Sequence, residues 1–340
     1  MERLYFRPIA MTDAAARPRG ALPLAGGWCW FDRVEVLRHG GSDGIVPLSE
    51  VPADMLDRLS APRAPVARLR LEAPRIMGIL NLTPDSFSDG GMFLRPEEAM
   101  DQARRMQAAG ADILDLGGES TRPGAAVVPD AEEIARTAPV IAALRGDGMG
   151  LPLSIDTRKA AVARAALQAG ADLVNDVAAM EYDPAMTAAV AETGAPVCLM
   201  HARGTPEVMQ EDPRYDDVLL EVYDYLEARI AAAAQAGIGP ERIVVDPGIG
   251  FGKTVAHNLA LLRGLSLFHG LGCAVLLGAS RKRFIGTIGQ APEARARMPG
   301  TLAVTLAGLA QGVQIHRVHD VAEVAQGVRL WRAISEGYEQ

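Results

Sequence analysis

Little in this sequence is aromatic, thiol-bearing or strongly basic, and each shortage removes a class of explanation. Tyr, Phe and Trp make up 5% of the 340 residues, so the core must be aliphatic. Cysteine occurs three times, at Cys29, Cys198 and Cys273. The count is odd, the spacing is wide, and two of the three sit in apolar runs where Cys behaves as a small hydrophobe, which argues against disulfides and metal–thiolate sites. No apolar run approaches the roughly 18 to 20 residues that span a bilayer, and Met1 to Ala16 has no cationic segment followed by an apolar one. The expectation is a soluble, cytoplasmic protein without a membrane partner. A formal net charge of −8 argues against nucleic acid, because phosphate backbones call for an excess of Lys and Arg on some face. An anionic substrate would have to be met by local positive charge.

What is present is apolar periodicity, with 49% apolar and 22% charged residues. From Arg75 onward, apolar runs of four to seven residues recur, each followed by a polar or Gly-containing turn and an Ala-rich segment of helical period. Strands are expected at 76–82, 113–117, 153–156, 173–177, 196–201, 243–246, 274–278 and 313–318. Helices are expected at 96–109, 131–144, 159–169, 184–192, 217–236, 255–265, 301–311 and 321–334. The phrase Ala-Gly-Ala-Asp closes a helix with a Gly twice, at Ala109–Asp112 and Ala169–Asp172. Eight strand–helix units match a (β/α)8 TIM barrel over residues 71–340, with a doubly wound open sheet as the alternative. Residues 1–70 differ, with frequent Pro and Gly and strand-like pieces at Leu4–Ile9 and Trp28–Leu37. They read as a small N-terminal α+β extension laid against the barrel.

Barrel active sites collect at the carboxyl ends of the strands. The first strand, Ile76–Leu80, runs into Asn81 and then Thr83, Asp85, Ser86, Ser88 and Asp89, with Pro84 stiffening the turn and Gly90-Gly91 freeing its end. Later strands end at Gly117–Gly124, Asp156-Thr157-Arg158, Asn175-Asp176, Met200-His201, Asp246–Lys253, Ser280–Arg283 and Arg317–Asp320. Asp156 or Thr157 doubles as a helix cap in this reading, and Asp320 caps the last helix. The Gly248–Lys253 run ends like a P-loop, but Pro247 occupies its first Gly position, and it lacks the dinucleotide spacing too. His316 and His319, three apart on a strand, face opposite ways, whereas Arg317 and His319 share a face and form a cationic patch, to which Arg122, Lys253 and Lys282 add charge. Such convergence suits phosphate or diphosphate, and oxygen ligands without a His or Cys cluster imply Mg²⁺ before Zn²⁺. Asp156, Asn175, Asp246 and Lys282 suit the edge of a nitrogen heterocycle.

The stretches ILNLTPDSFSDGG, DLGGESTRPGA, SIDT, VNDV, LMH, DPGIGFGK, SRK and RVHDV, in this order, closely resemble the dihydropteroate synthase family of folate biosynthesis, the target of sulfonamides. The resemblance runs from about Arg75 to Arg332 and leaves the first 70 residues outside it. It implies condensation of (7,8-dihydropterin-6-yl)methyl diphosphate with 4-aminobenzoate. It implies that Asp156, Asn175, Asp246 and Lys282 hold the pterin, with Met200 and Phe251 bounding its faces. It gives the diphosphate to Asn81, Arg122, Arg317 and His319, with Mg²⁺ near Asn81. Phe87, Thr121, Pro123 and Arg283 fall to the aminobenzoate, and Asp156, Lys282, Arg317 and His319 carry the catalytic burden. A homodimer is implied as well. Two rivals share the pterin-end acids. A methyltetrahydrofolate-dependent methyltransferase barrel should have no use for the anion patch of Arg122, Arg317 and His319. A non-catalytic pterin-binding paralogue should have eroded first and second loops, and here both are intact.

Overall fold

Short runs of Val, Ile and Leu can be buried on both faces only if they share a sheet whose outer side is covered by helices. The computed structural model, which describes residues 3–83, 96–120, 127–204 and 213–337, has this arrangement. The N-terminal part holds strands β1 (Tyr5–Pro8), β2 (Leu22–Pro23), β3 (Trp30–Phe31), β4 (Arg33–Arg38) and β5 (Gly41–Pro47), then helix α1 (Ala53–Ser60). The barrel strands are β6 (Arg75–Asn81), β7 (Ile113–Gly117), β8 (Leu153–Asp156), β9 (Leu173–Asp176), β10 (Val197–Met200), β11 (Ile243–Asp246), β12 (Ala274–Leu277) and β13 (Ile315–Val318). Consecutive strands pair in parallel and β13 closes on β6, giving a closed eight-stranded TIM barrel. Its helices are α2 (Pro96–Ala109), α3 (Asp130–Gly146), α4 (Ala160–Gln168), α5 (Met186–Thr193), α6 (Val218–Gln235), α7 (Val255–Arg263), α8 (Arg283–Ile288), α9 (Met298–Leu309) and α10 (Val321–Glu336). The short α8 is an addition to the eight helices expected.

The repeated Ala-Gly-Ala-Asp has one job in both places. Gly110 and Gly170 take left-handed backbone, with φ of 107° and 111°, and end their helices. The Asp that follows, two residues beyond the Gly, then accepts an N–H at the start of a neighbouring strand: Asp112 from Ile76 at 2.8 Å and Asp172 from Leu153 at 2.9 Å.

Inside the barrel, strand alternation sorts side chains into two layers. Met77, Ile113, Leu173, Cys198, Val244, Ala274, Leu276 and Ile315 form an apolar lower layer. Val66, Ala67 and Leu71, from the hairpin ahead of β6, plug it from below. The expected 70/71 boundary leaves Val66 and Ala67 on one side and Leu71 on the other, and all three pack into this layer. One turn of side chains higher, the inward positions are Asp115, Asp156, Asn175, Asp246 and Arg317.

The N-terminal extension is α+β as expected but has more strands than its sequence pattern announced, since β2 and β5 were not expected and the position of α1 was not assigned. The strand expected over Trp28–Leu37 is two strands. Trp30 pairs with Met11, while Val34–Leu37 pair with β1, so the chain must change partner at Asp32. Leu24, Cys29, Phe31, Val34, Val51 and Leu59 make a small separate core. The extension then wraps the 3-10 helix at Leu265–Leu271, all seven residues of which are buried. Ser266 donates to the Pro8 carbonyl at 2.8 Å, Arg63 to the His269 carbonyl at 2.9 Å, and Tyr5 to the Asp224 carboxylate at 2.8 Å.

Candidate active site

The register of the sheet places the expected strand-end residues side by side. Asn81 pairs with Gly117, Gly117 with Asp156 and Asp156 with Asn175, so four strand ends reach the mouth at one level. Across the barrel Met200 is in register with Asp246.

The centre of this level is a buried ion cluster. Arg317 donates through Nε to Asp115 Oδ2 and through Nη2 to Asp156 Oδ2, each at 2.6 Å. Asn175 Nδ2 adds a bond to Asp115 Oδ2 at 3.1 Å. Burial acts against the Arg317 charge, but Asp115 and Asp156 outweigh it and hold the guanidinium above its already high range. Asp156 is pushed the other way: burial raises its carboxyl, Arg317 opposes this, and the Asp115 charge adds to the rise, leaving it above the usual carboxylate range. Arg317 was expected to form an open cationic patch with His319. The structure instead clamps it between carboxylates, because it shares its inward face with Asp115 and Asp156. His319 is held beside Ser280, with Nδ1 and Oγ 3.0 Å apart.

Two oxygens in this cluster, Asp115 Oδ1 and Asp156 Oδ1, are buried without a hydrogen-bond partner among the described residues. A buried lone pair left unmatched costs about 1–3 kcal/mol, so the pocket is prepared for N–H donors from a ligand. Asp115 was not singled out from the sequence. The signal was there: it is the one charged residue in Ile113–Gly117, on the inward face with Ile113 and Gly117.

At the opposite wall Asp246 Oδ1 accepts the Gly248 N–H at 2.7 Å, and burial pushes its carboxyl up to about 6 against the opposing pull of that bond and of Lys282. The Lys282 ammonium lies 3.8 Å from the centre of the Phe251 ring, a cation–π contact that ties two expected pterin residues together. Lys253, expected to add charge at the mouth, is instead buried beneath the Gly248–Gly252 turn and bonded to His201. Arg283 is exposed at the start of α8. Phe87, Thr121, Arg122 and Pro123 lie outside the described residues.

The cap assignments also change. Asp320 makes no side-chain cap for α10, because Arg281 takes both its oxygens. The first N–H of α4 is accepted by Asp183 at 2.8 Å, and Thr157 Oγ1 accepts only the Lys159 N–H at 3.3 Å. Asp176, facing outward, accepts from Ala178 and Met180 and stiffens the turn after β9.

A second buried ion cluster supports the end of β7. Lys159 Nζ donates to Glu119 Oε2 at 2.7 Å, Glu133 Oε2 at 2.6 Å and the Val128 carbonyl at 2.6 Å. Arg158 adds Glu119 Oε1 at 3.1 Å and covers the Tyr182 ring. Burial disfavours the Glu119 charge, yet Lys159 and the Val128 N–H hold its carboxyl below the usual range.

For a metal, the described residues contain no group of three or more His, Cys, Asp or Glu able to chelate an ion. The side-chain amide of Asn81, half-buried at the end of β6, offers an oxygen at that side. One protein oxygen suits Mg²⁺, which keeps its waters and borrows the remaining ligands from substrate phosphates.

Comparison with known proteins agrees with this geometry. The family described as "Pterin binding enzyme" matches residues 77–319. The dihydropteroate synthase of Synechocystis sp. is 46% identical over 289 residues, covering 82% of this chain and all of that protein. That of Escherichia coli K12 is 45% identical over 265 residues, covering 78% of this chain and 93% of that one. Among solved structures, the Xanthomonas albilineans dihydropteroate synthase with 4-aminobenzoic acid superimposes with a TM-score of 0.75 at 46% identity, covering 80% of this chain and 98% of that one. The Yersinia pestis enzyme in a sulfonamide drug complex gives 0.75 at 43% identity, covering 79% and 96%. With the family match running from β6 through β13, this chain belongs to the pterin-binding enzyme family, among its dihydropteroate synthases.

Proposed function

We propose that the chain joins (7,8-dihydropterin-6-yl)methyl diphosphate to 4-aminobenzoate, giving 7,8-dihydropteroate and pyrophosphate. The observation that carries the pocket assignment is the pair of unmatched carboxylate oxygens, Asp115 Oδ1 and Asp156 Oδ1, beside Asn175 at the barrel mouth. An amino-pyrimidinone edge presents the N–H groups those oxygens lack. Asp246 and Lys282 complete the ring's polar edge, and Met200 and Phe251 bound its faces.

The chemistry follows from the charges. The methylene C–O bond breaks with its electron pair leaving on the diphosphate, and the arylamine nitrogen forms the new C–N bond and loses its proton to solvent. A cation developing on the pterin is stabilised by the ionised form of Asp156, which a nearby positive charge favours and which lies buried where the local dielectric is low. An arylamine is nucleophilic at neutral pH, so no strong general base is required. Among the described residues the carboxylates take Nε and Nη2 of Arg317 and leave Nη1, which with His319, Asn81 and Arg122 meets the leaving group. Mg²⁺ held at Asn81 would supply further charge neutralisation. Thr121, Pro123, Phe87 and Arg283 receive the aminobenzoate in this reading. A sulfonamide, as in the Yersinia pestis complex, would compete there.

The chain works as a homodimer in the cytoplasm in the same reading. Support for a second copy comes from Leu330 and Ile334, one helical turn apart on α10 and 63% and 75% exposed. No helix among the described residues is long and apolar enough to cross a membrane. The deciding experiment is pyrophosphate release from the pterin diphosphate, with and without 4-aminobenzoate and Mg²⁺. Release that depends on the arylamine is the expected result. Release of equal size without it would leave a hydrolase.

A further inference from the structure

The glycine-rich turn after β11 is held in place from beneath. Gly248, Gly250 and Gly252 all take left-handed backbone, with φ of 68°, 83° and 63°. A Cβ at Gly248 would lie 1.8 Å from the His201 carbonyl oxygen, and one at Gly252 would lie 2.4 Å from that of Arg203. The turn therefore rests directly on the backbone that follows β10. From its end the Lys253 side chain folds back underneath, 3% exposed. Its Nζ lies 2.8 Å from His201 Nδ1, 3.0 Å from the Phe251 carbonyl and 3.4 Å from the His201 carbonyl.

Burial draws the Lys253 pKa down to about 7; its ammonium form has three hydrogens, and three acceptors surround it. Burying it would cost several kcal/mol without them, so residues 201 and 251 are held to the positions that satisfy it. His201 must offer Nδ1 as an acceptor, which requires a neutral ring. Burial and the neighbouring Lys253 keep that ring neutral, drawing its pKa down to about 2. The remaining contacts share the restraint: Tyr215 donates to the Gly252 carbonyl at 2.9 Å, and Asn258 Oδ1 accepts the Gly250 N–H at 2.7 Å.

We infer that Lys253 is a positioning residue for the pterin half of the reaction. By joining His201 to the Phe251 carbonyl it sets the height of the Phe251 ring, and with it the Lys282 ammonium on that ring and the Gly248 N–H that Asp246 accepts. Lys253 itself touches no reacting atom. The assignment rests on the reading of this wall as the pterin pocket.

The test compares full-length wild type with Lys253→Met, which keeps the length and removes the donors, His201→Phe, which keeps a ring and removes the acceptor, and the double variant. Calorimetric affinity for the pterin diphosphate and the KM of each substrate are measured. Lys253→Met should weaken pterin affinity at least tenfold and leave the aminobenzoate KM within twofold. His201→Phe should act in the same direction, and the double variant should be no worse than Lys253→Met alone. A folded Lys253→Met protein that binds the pterin diphosphate within twofold of wild type overturns the inference, as does an equal rise in both KM values. Should Lys253→Met fail to fold, unchanged pterin affinity in His201→Phe overturns it. Wild type that bound no pterin diphosphate while turning over another substrate would overturn the pocket assignment, and this inference with it.

Discussion

Replacing Arg317 with Met tests the electrostatic design of the site most directly. The side chain keeps its length, but the cation between two buried carboxylates disappears. Asp115 is fully buried and Asp156 nearly so, and each loses a 2.6 Å charge-assisted bond. Breaking a buried ion pair from one side costs about 3–5 kcal/mol, since an uncompensated charge remains. Unfolding entropy near 2.1 cal/mol/K per residue over 340 residues is roughly 0.7 kcal/mol/K, so the loss corresponds to about 4–7 °C in Tm.

The deficit must depend on pH. Without Arg317 a carboxyl can escape by taking up a proton, and Asp156 already stands above the usual range in its presence. A carboxyl whose folded pKa is raised contributes stability that is present below the unfolded value, near 4, and lost as pH rises through the folded value. The Tm gap between wild type and Arg317→Met should thus be small at pH 5.5 and full at pH 8.5. Adding Asp115→Asn should recover part of it. Scanning calorimetry at three pH values is the measurement. A gap that stays constant with pH, or one below 1 °C throughout, would refute the account of Arg317 as the counter-charge of this pair.

Two further outcomes are expected. Burial places Asp246 at about 6, and an N–H-rich ligand favours its ionised form, so pterin affinity should fall as pH drops below that value, by up to tenfold per unit; calorimetry from pH 5 to 8 checks this, and Asp246→Asn should flatten the profile. Truncation before residue 62 uncovers Leu265, Leu267, Phe268 and Leu271, each worth about 1.5–3 kcal/mol when fully buried, and should lower Tm by several degrees; truncation before residue 72 also removes Val66 and Leu71 from the barrel floor and should lower it further. Equal melting of the two truncated forms would show that the hairpin plug contributes nothing.

The order of strands and helices was legible along the chain because period carries it. A run such as Ile243–Asp246, apolar until its closing Asp, has no other stable place than a sheet buried on both faces, and β7, β8 and β11 have the bounds their sequences announced. Strand-end residues such as Asp156, Asn175 and Asp246 were legible for the same reason, since parallel strands put their carboxyl ends at one mouth. Charge pairing was not. Whether Arg317 faces solvent or two carboxylates depends on Asp115, 202 residues away in sequence, being brought to the same level by barrel closure. Lys253 read as one more surface cation until the left-handed turn above it folded its side chain under His201. Periodicity is a local property that each segment states alone. Burial and ion pairing are properties of which segments meet, and only the closed barrel decides them.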